Sequence, residues 1–168
     1  MLRPALLYKE EILRKFTELM YTEDYYFYSG YDCGSELPNL EPKEDTYSYC
    51  MVDSNNNVIG FLAYKYSVYT DTVYDFGLIS FEKGNIIVGI DLFKKMEELL
   101  KIHHKIEWRV LDGNPVKKHY DKFCNKHGGY ISHLHDTTKD LNGDYVDSYI
   151  YEIITKKQEK LNENIQFN

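Results

Sequence analysis

The chain has 168 residues, of which 43% are hydrophobic and 28% charged, the composition of a globular domain and not of a disordered or fibrous chain. At that length a single core suffices, and folding removes about 70% of the unfolded surface from water. A formal charge of -7 argues against broad nucleic-acid binding, which needs a cationic surface, and favours a cationic small molecule or peptide as partner.

The first strong period is Ile12, Leu13, Phe16, Leu19 and Met20, which share one helical face and predict a helix over residues 8–21. Residues 22–45 hold Gly30, Gly34, Pro38 and Pro42 among acidic and aromatic residues; no period survives there, although a short helix near Tyr25 is compatible with it. Residues 46–52 and 58–67 are rich in Tyr, Val, Ile and Phe and read as a hairpin around Asp53-Ser54-Asn55-Asn56-Asn57. Asp53-x-Asn55-x-Asn57 also opens like a calcium loop, but Val58 stands at the turn glycine and Tyr64 at the bidentate Glu, so the turn reading prevails.

A strand over 73–81 leads through Glu82-Lys83-Gly84-Asn85 into a helix marked by Leu92, Phe93, Met96, Leu99 and Leu100. The strand over 105–111 turns Ile106, Trp108 and Val110 to one face. Asp112-Gly113-Asn114-Pro115 then opens a helix bearing Val116, Tyr120, Phe123, Cys124 and His127, which Gly128-Gly129 ends. Strands over 130–135 and 144–154 flank Asn142-Gly143, a hairpin signal. The expected organisation is one domain over 1–155 followed by a fraying polar tail, 156–168.

Apolar runs such as residues 86–90 are far shorter than the roughly 20 residues that cross a bilayer, and no basic segment leads into an apolar one at the N-terminus; the expectation is a cytoplasmic protein without membrane attachment. Cys33, Cys50 and Cys124 are odd in number and lack C-x-x-C spacing, which argues against a disulfide framework or thiolate metal site and fits a reducing compartment.

A helix start offers unpaired N–H groups and partial positive charge, so the loop after Phe81 leading into Val88-Gly89-Ile90 is a candidate anion cradle. His133-x-His135 puts two imidazoles on one strand face, but no second pair at metal-ligand spacing accompanies them, and no metal is expected.

The segment Asn114-Pro115-Val116-Lys117-Lys118-His119-Tyr120-Asp121-Lys122, closing at Gly128-Gly129-Tyr130, resembles the N-P-A-x-x-x-Y-E-K-x-G-F signature of GNAT acyltransferases, and the element order over residues 46–154 is similar to that family's. The resemblance implies an α/β fold with a mixed, mostly antiparallel sheet flanked by helices. It implies N-acetyl transfer from acetyl-CoA to a primary amine, small-molecule or peptide, by direct attack in a ternary complex, in a monomer or homodimer.

Under that resemblance Tyr120 protonates the departing thiolate, as a phenol of unperturbed pKa ~10 can for a thiol near ~8.5. Asp75, the one carboxylate inside the strand over 73–81 that resembles the family's fourth, is the candidate base, with Glu107 and Asp147 behind it. Cofactor contacts fall on Ile79, Phe81, Gly84, Asn85, Ile87, Val88, Gly89 and Asn114, with Lys117, Lys118 and Lys122 near the 3'-phosphate. Gly89 matches the last glycine of the family's Q/R-x-x-G-x-G/A loop, whereas Gly84 replaces Arg or Gln and Ile87 the middle glycine. That departure keeps open an alternative, a non-catalytic acyl-CoA-binding or protein-interaction module with the same fold. Asp24, Asp32, Glu36, Glu41, Glu44 and Asp45, interrupted by the single Lys43, are expected to draw in a cationic acceptor.

Overall fold

A computed structural model describes residues 1–20, 22, 37–140 and 142–155. In chain order these give strand β1 (Leu2–Pro4), a 3-10 turn (Ala5–Tyr8), helix α1 (Lys9–Leu19) and strands β2 (Thr46–Val52), β3 (Val58–Ser67) and β4 (Thr72–Ser80). Helix α2 (Ile86–Ile102), strand β5 (Lys105–Leu111), helix α3 (Lys117–Lys126) and strands β6 (Tyr130–Lys139) and β7 (Tyr145–Ile154) follow. The strands make one sheet in the order β1-β2-β3-β4-β5-β7-β6. Every neighbouring pair is antiparallel except β4 and β5. The fold is the mixed, mostly antiparallel α/β arrangement expected from the sequence.

Two apolar layers sandwich the sheet. Leu92, Met96 and Leu99 of α2 and Phe123 and Cys124 of α3 pack on Met51, Leu62, Phe76, Trp108 and Tyr151. Ile12 and Phe16 of α1 cover Cys50, Val58, Phe61 and Ile79 on the opposite face. The period that predicts α1 is therefore the stripe it buries, although the helix starts at Lys9 after a 3-10 turn instead of at Tyr8. Strand β1 escapes sequence reading because three residues are too few to show a period. The short helix near Tyr25 and the tail over 156–168 fall outside the described residues; of residues 22–45 the structure describes Thr22 and residues 37–45, which hold no helix.

The hairpin turn between β2 and β3 is closed by Asp53, whose carboxylate accepts the amides of Asn55 and Asn57, both at 2.8 Å, and the Asn57 side chain at 3.0 Å. These bonds occupy the carboxylate that a calcium ion would need. At the end of α3 the two adjacent glycines do different work. Gly128 takes φ +65°, and an added Cβ there would meet nothing. At Gly129 a Cβ would stand 2.6 Å from both Cys124 Sγ and the Glu152 carbonyl, so the helix exit lies directly against β7.

Candidate active site

Strands β4 and β5 are paired at Thr72↔Lys105, Val73↔Ile106 and Phe76↔Trp108, and beyond Phe76 no ladder joins them. Asp75 sits where the register slips. It has φ +48°, and β4 spends three steps, Tyr74 to Gly77, against two in β3, Lys65 to Ala63. This is a β-bulge, which re-aims side chains and ends pairing. Past it the strands part around a cleft of about 530 Å³.

The cleft runs between the faces of the sheet. On the α2/α3 side it is lined by Phe76, Leu78, Trp108, Val110, Leu92 and Tyr120; on the other side by Asp75, Gly77, Glu107, Arg109 and Ile150. The start of α2 closes one end with Asn85, Val88 and Gly89, and the loop before α3 supplies Asn114, Pro115 and Val116.

A helix start leaves four amides without intrahelical partners. Here the Asn85 amide goes to the Glu82 carbonyl at 3.2 Å and the Ile87 amide to Asn85 Oδ1 at 2.9 Å. The amides of Ile86 and Val88 are the other two of that set. Gly84, at φ +74°, turns the chain into this start, and an added Cβ at Gly89 meets nothing within 4 Å. Ile87 is 40% exposed and does not line the cleft, so its bulk points to solvent.

Tyr120 is 4% exposed, with Trp108, Tyr151 and Phe93 ring centroids 5.6, 5.8 and 5.9 Å away. Among the described residues no group hydrogen-bonds its hydroxyl. Burial pushes its pKa up, so the phenol holds its proton at neutral pH. Trp108 Nε1 is a buried donor without a partner among the described residues, in the wall beside it. Asn114 Oδ1 accepts the Val116 amide at 3.0 Å while the residue lines the cleft, so capping and cleft lining coexist.

On the opposite face Asp75 Oδ2 accepts from Lys65 Nζ at 2.8 Å, and that contact raises the lysine's pKa. Glu107 pairs with Lys105 at 2.8 Å, and Arg109 Nε donates to Ser148 Oγ at 3.0 Å. Asp75, Asn85, Val88, Gly89, Asn114 and Tyr120 thus line one cleft, as does Glu107.

Four expected cofactor contacts stand elsewhere. Ile79 and Phe81 turn into the α1-side layer, because alternation along β4 sends odd positions after the bulge away from α2; any ligand contact there is left to their backbone. Gly84 and Ile87 are outside the lining. Lys117 lies over the Tyr149 ring at 3.9 Å and pairs with Asp121 at 3.2 Å, while Lys118 and Lys122 are exposed. Of the acidic segment, Glu41 pairs with Lys9, Glu44 and Asp45 are exposed, and Asp24, Asp32 and Glu36 lie outside the described residues.

Sequence reasoning missed Arg109 and the orphan indole of Trp108; the signal for the former was its alternation with Glu107 along a strand beside the expected opening. Cys50 and Cys124 are buried, their thiol pKa values raised by burial, Cys50 to about 11, so neither is an activated nucleophile; Cys33 lies outside the described residues. No described helix is long and apolar enough to cross a membrane.

The fold is that of GNAT N-acetyltransferases. A spermidine N-acetyltransferase from Vibrio cholerae in complex with CoA and spermine matches with a TM-score of 0.70 and 17% identity, over 94% of this chain and 96% of that one. A protein described as a phosphinothricin N-acetyltransferase matches at 0.68 and 15%, over 94% and 99%. The ribosomal-protein alanine N-acetyltransferase of Escherichia coli matches at 0.56 and 13%, over 70% and 75%. No protein-family model matches the sequence, and no curated protein matches it. At these identities the likeness is one of fold, and function must be argued from the site.

Proposed function

We propose that the chain is an N-acetyltransferase that moves an acetyl group from acetyl-CoA to a primary amine within a ternary complex. The observation that carries this reading is the parting of β4 and β5, with a helix start at one end of the opening and Tyr120 in its wall. The neighbour that holds CoA has the same fold. In this chain the cleft has the volume of a small-molecule site and an apolar wall suited to a pantetheine arm. The pyrophosphate would meet the Ile86 and Val88 amides and the bare Gly89 surface.

An amine attacks only as the free base. Asp75 is the proposed proton acceptor, and an incoming ammonium would compete with Lys65 for it. Attack on the thioester carbon gives a tetrahedral oxyanion, which β4 backbone amides freed from the β5 ladder can polarise. Collapse expels the thiolate toward Tyr120. Because burial raises the phenol above a thiol near ~8.5, complete transfer is uphill, and a hydrogen bond to the developing thiolate is the larger part of the effect.

Neighbours in this fold include a spermidine acetyltransferase, and a cationic acceptor here would take the place of Lys65 at Asp75 or of Lys105 at Glu107. Ile87 lies outside the cleft lining, which favours the catalytic reading over a non-catalytic module. A thiol-release screen with acetyl-CoA over polyamines, aminoglycosides, amino acids and peptides tests the proposal. Slow release alone and faster release with one amine class supports it; coenzyme binding without amine-dependent release selects the non-catalytic module.

A further inference from the structure

His133 and His135 leave β6 on one face and meet a carboxylate from the neighbouring strand. Asp147 Oδ2 stands 2.6 Å from His133 Nε2 and 3.3 Å from His135 Nδ1. The three atoms all lie within 4.8 Å of one another. Around a tetrahedral ion with bonds of about 2.0–2.2 Å, ligand atoms stand about 3.3 Å apart, so small side-chain rotations would close this trio on one ion.

We propose that His133, His135 and Asp147 form a three-ligand site for a divalent transition metal of the zinc type, on the outer strands of the sheet and independent of the acetyl-transfer cleft. Two imidazole nitrogens and one carboxylate oxygen suit zinc, cobalt, nickel or copper(II), whereas calcium and magnesium call for oxygen ligands throughout. None of the three residues lines the cleft.

The surroundings hold the ligands in place. The β6–β7 register shifts between Leu134 and Thr138, and Asp136 takes φ +51° there. From this bulge the Asp136 amide donates to Asp147 Oδ1 at 2.9 Å, which fixes the carboxylate while Oδ2 faces the histidines. The His133 ring lies flat against Tyr149, centroids 4.6 Å apart and planes at 9°, which sets its orientation. Such outer contacts orient ligands in metal sites generally. The His135 side chain is 74% exposed, so water or another donor can complete the coordination sphere. The rival is an ordinary histidine–aspartate ion pair whose only occupant is a proton.

The test uses the whole chain without an oligohistidine tag, stripped by chelator, titrated calorimetrically with zinc chloride and followed by visible absorption with cobalt(II). The expected result is saturable uptake of one ion per chain with ligand-field bands. His135→Ala and Asp147→Asn should each weaken binding about tenfold or more, and His104→Ala, at an exposed histidine remote in sequence, should leave it unchanged. His135 is exposed enough that its variant should fold, which the metal-free Tm checks. Absence of saturable 1:1 uptake, or equal affinity in wild type and both ligand variants, overturns the proposal. Acetyl transfer is not the readout, so this result and that of the thiol-release screen stand apart.

Discussion

The two walls of the cleft come from opposite faces of the same two strands and are chemically unlike. Toward α2 and α3 the wall is apolar, with Phe76, Trp108 and Val110 closing on Tyr120. Toward α1 it carries Asp75, Glu107 and Arg109, which contact Lys65, Lys105 and Ser148 respectively. Alternation along a strand produces this contrast without any extra element. One slot can thereby keep a phenol neutral on one side and receive a charged acceptor on the other.

The sharpest way to break that comparison is on the apolar wall. Tyr120→Phe should lower kcat by about 10² or more while leaving coenzyme affinity and Tm in place, because no described partner is left unpaired. Unchanged turnover would reduce Tyr120 to packing. On the polar wall, Asp75→Asn should cost about 10² in kcat/KM. Asn is the suitable replacement, since it tolerates the left-handed backbone found there and can still accept from Lys65. A variant as active as wild type would transfer the role of base to Glu107 or to water.

At the end of the slot, acetyl-CoA at 100 times its Kd should add about 2.7 kcal/mol to wild-type stability. Gly89→Asp should abolish that protection, for it sets a carboxylate where pyrophosphate is expected; the open space at that position means the fold itself should persist. Equal thermal shifts in both proteins would place the coenzyme elsewhere.

A weaker effect concerns approach to the polar wall. If the acidic segment steers a cationic amine, kcat/KM should fall as the Debye length shrinks from about 30 Å at 0.01 M salt to about 8 Å. Changing Glu36, Glu41 and Glu44 to Gln should flatten that dependence. The same slope in both proteins would leave acceptor choice to the cleft alone.

The smallest effect expected lies behind the apolar wall, where Glu97 of α2 reaches Lys126, the last residue of α3, at 2.6 Å and His127 just past it at 3.1 Å. The Lys126 hydrogen bond, aided by His127, holds the Glu97 pKa below its ordinary 4.5. Its contribution is therefore full above the unfolded value and lost as pH falls through the folded one. Because the groups are partly exposed, the contribution should be under about 1 kcal/mol. Tm of Glu97→Gln should converge on wild type as pH falls from the unfolded value through the lower folded one; a constant offset across that range would exclude a titrating pair.

The order of elements from β2 to β7 was legible because each carries a clear period or turn signal. The bulge was not. It places Val73 and Phe76 in the same layer, three residues apart, a spacing that belongs to neither strand nor regular alternation. The resemblance that puts cofactor contacts at Ile79 and Phe81 says nothing of the face their side chains take, which the bulge decides. The meeting of His133 and His135 with Asp147 was hidden for another reason: hairpin register, bulge included, decides which distant side chains share a face. Asn114 and Tyr120 were readable through the motif around them, whereas Arg109 had only its place opposite an opening that local patterning does not reveal.

Tyr74 and Asp75 both leave β4 on the side away from α2, so a chain lacking Asp75 alone would keep Phe76, Leu78 and Ile79 on their present faces. What would vanish is one surplus peptide unit, about 3.3 Å of strand, at the point where the β4–β5 ladder stops. Without it the strands would meet in step, and the ladder would be free to continue toward Ser80. Substitutions on either wall would retune such an opening, but the deletion of a single codon could close it.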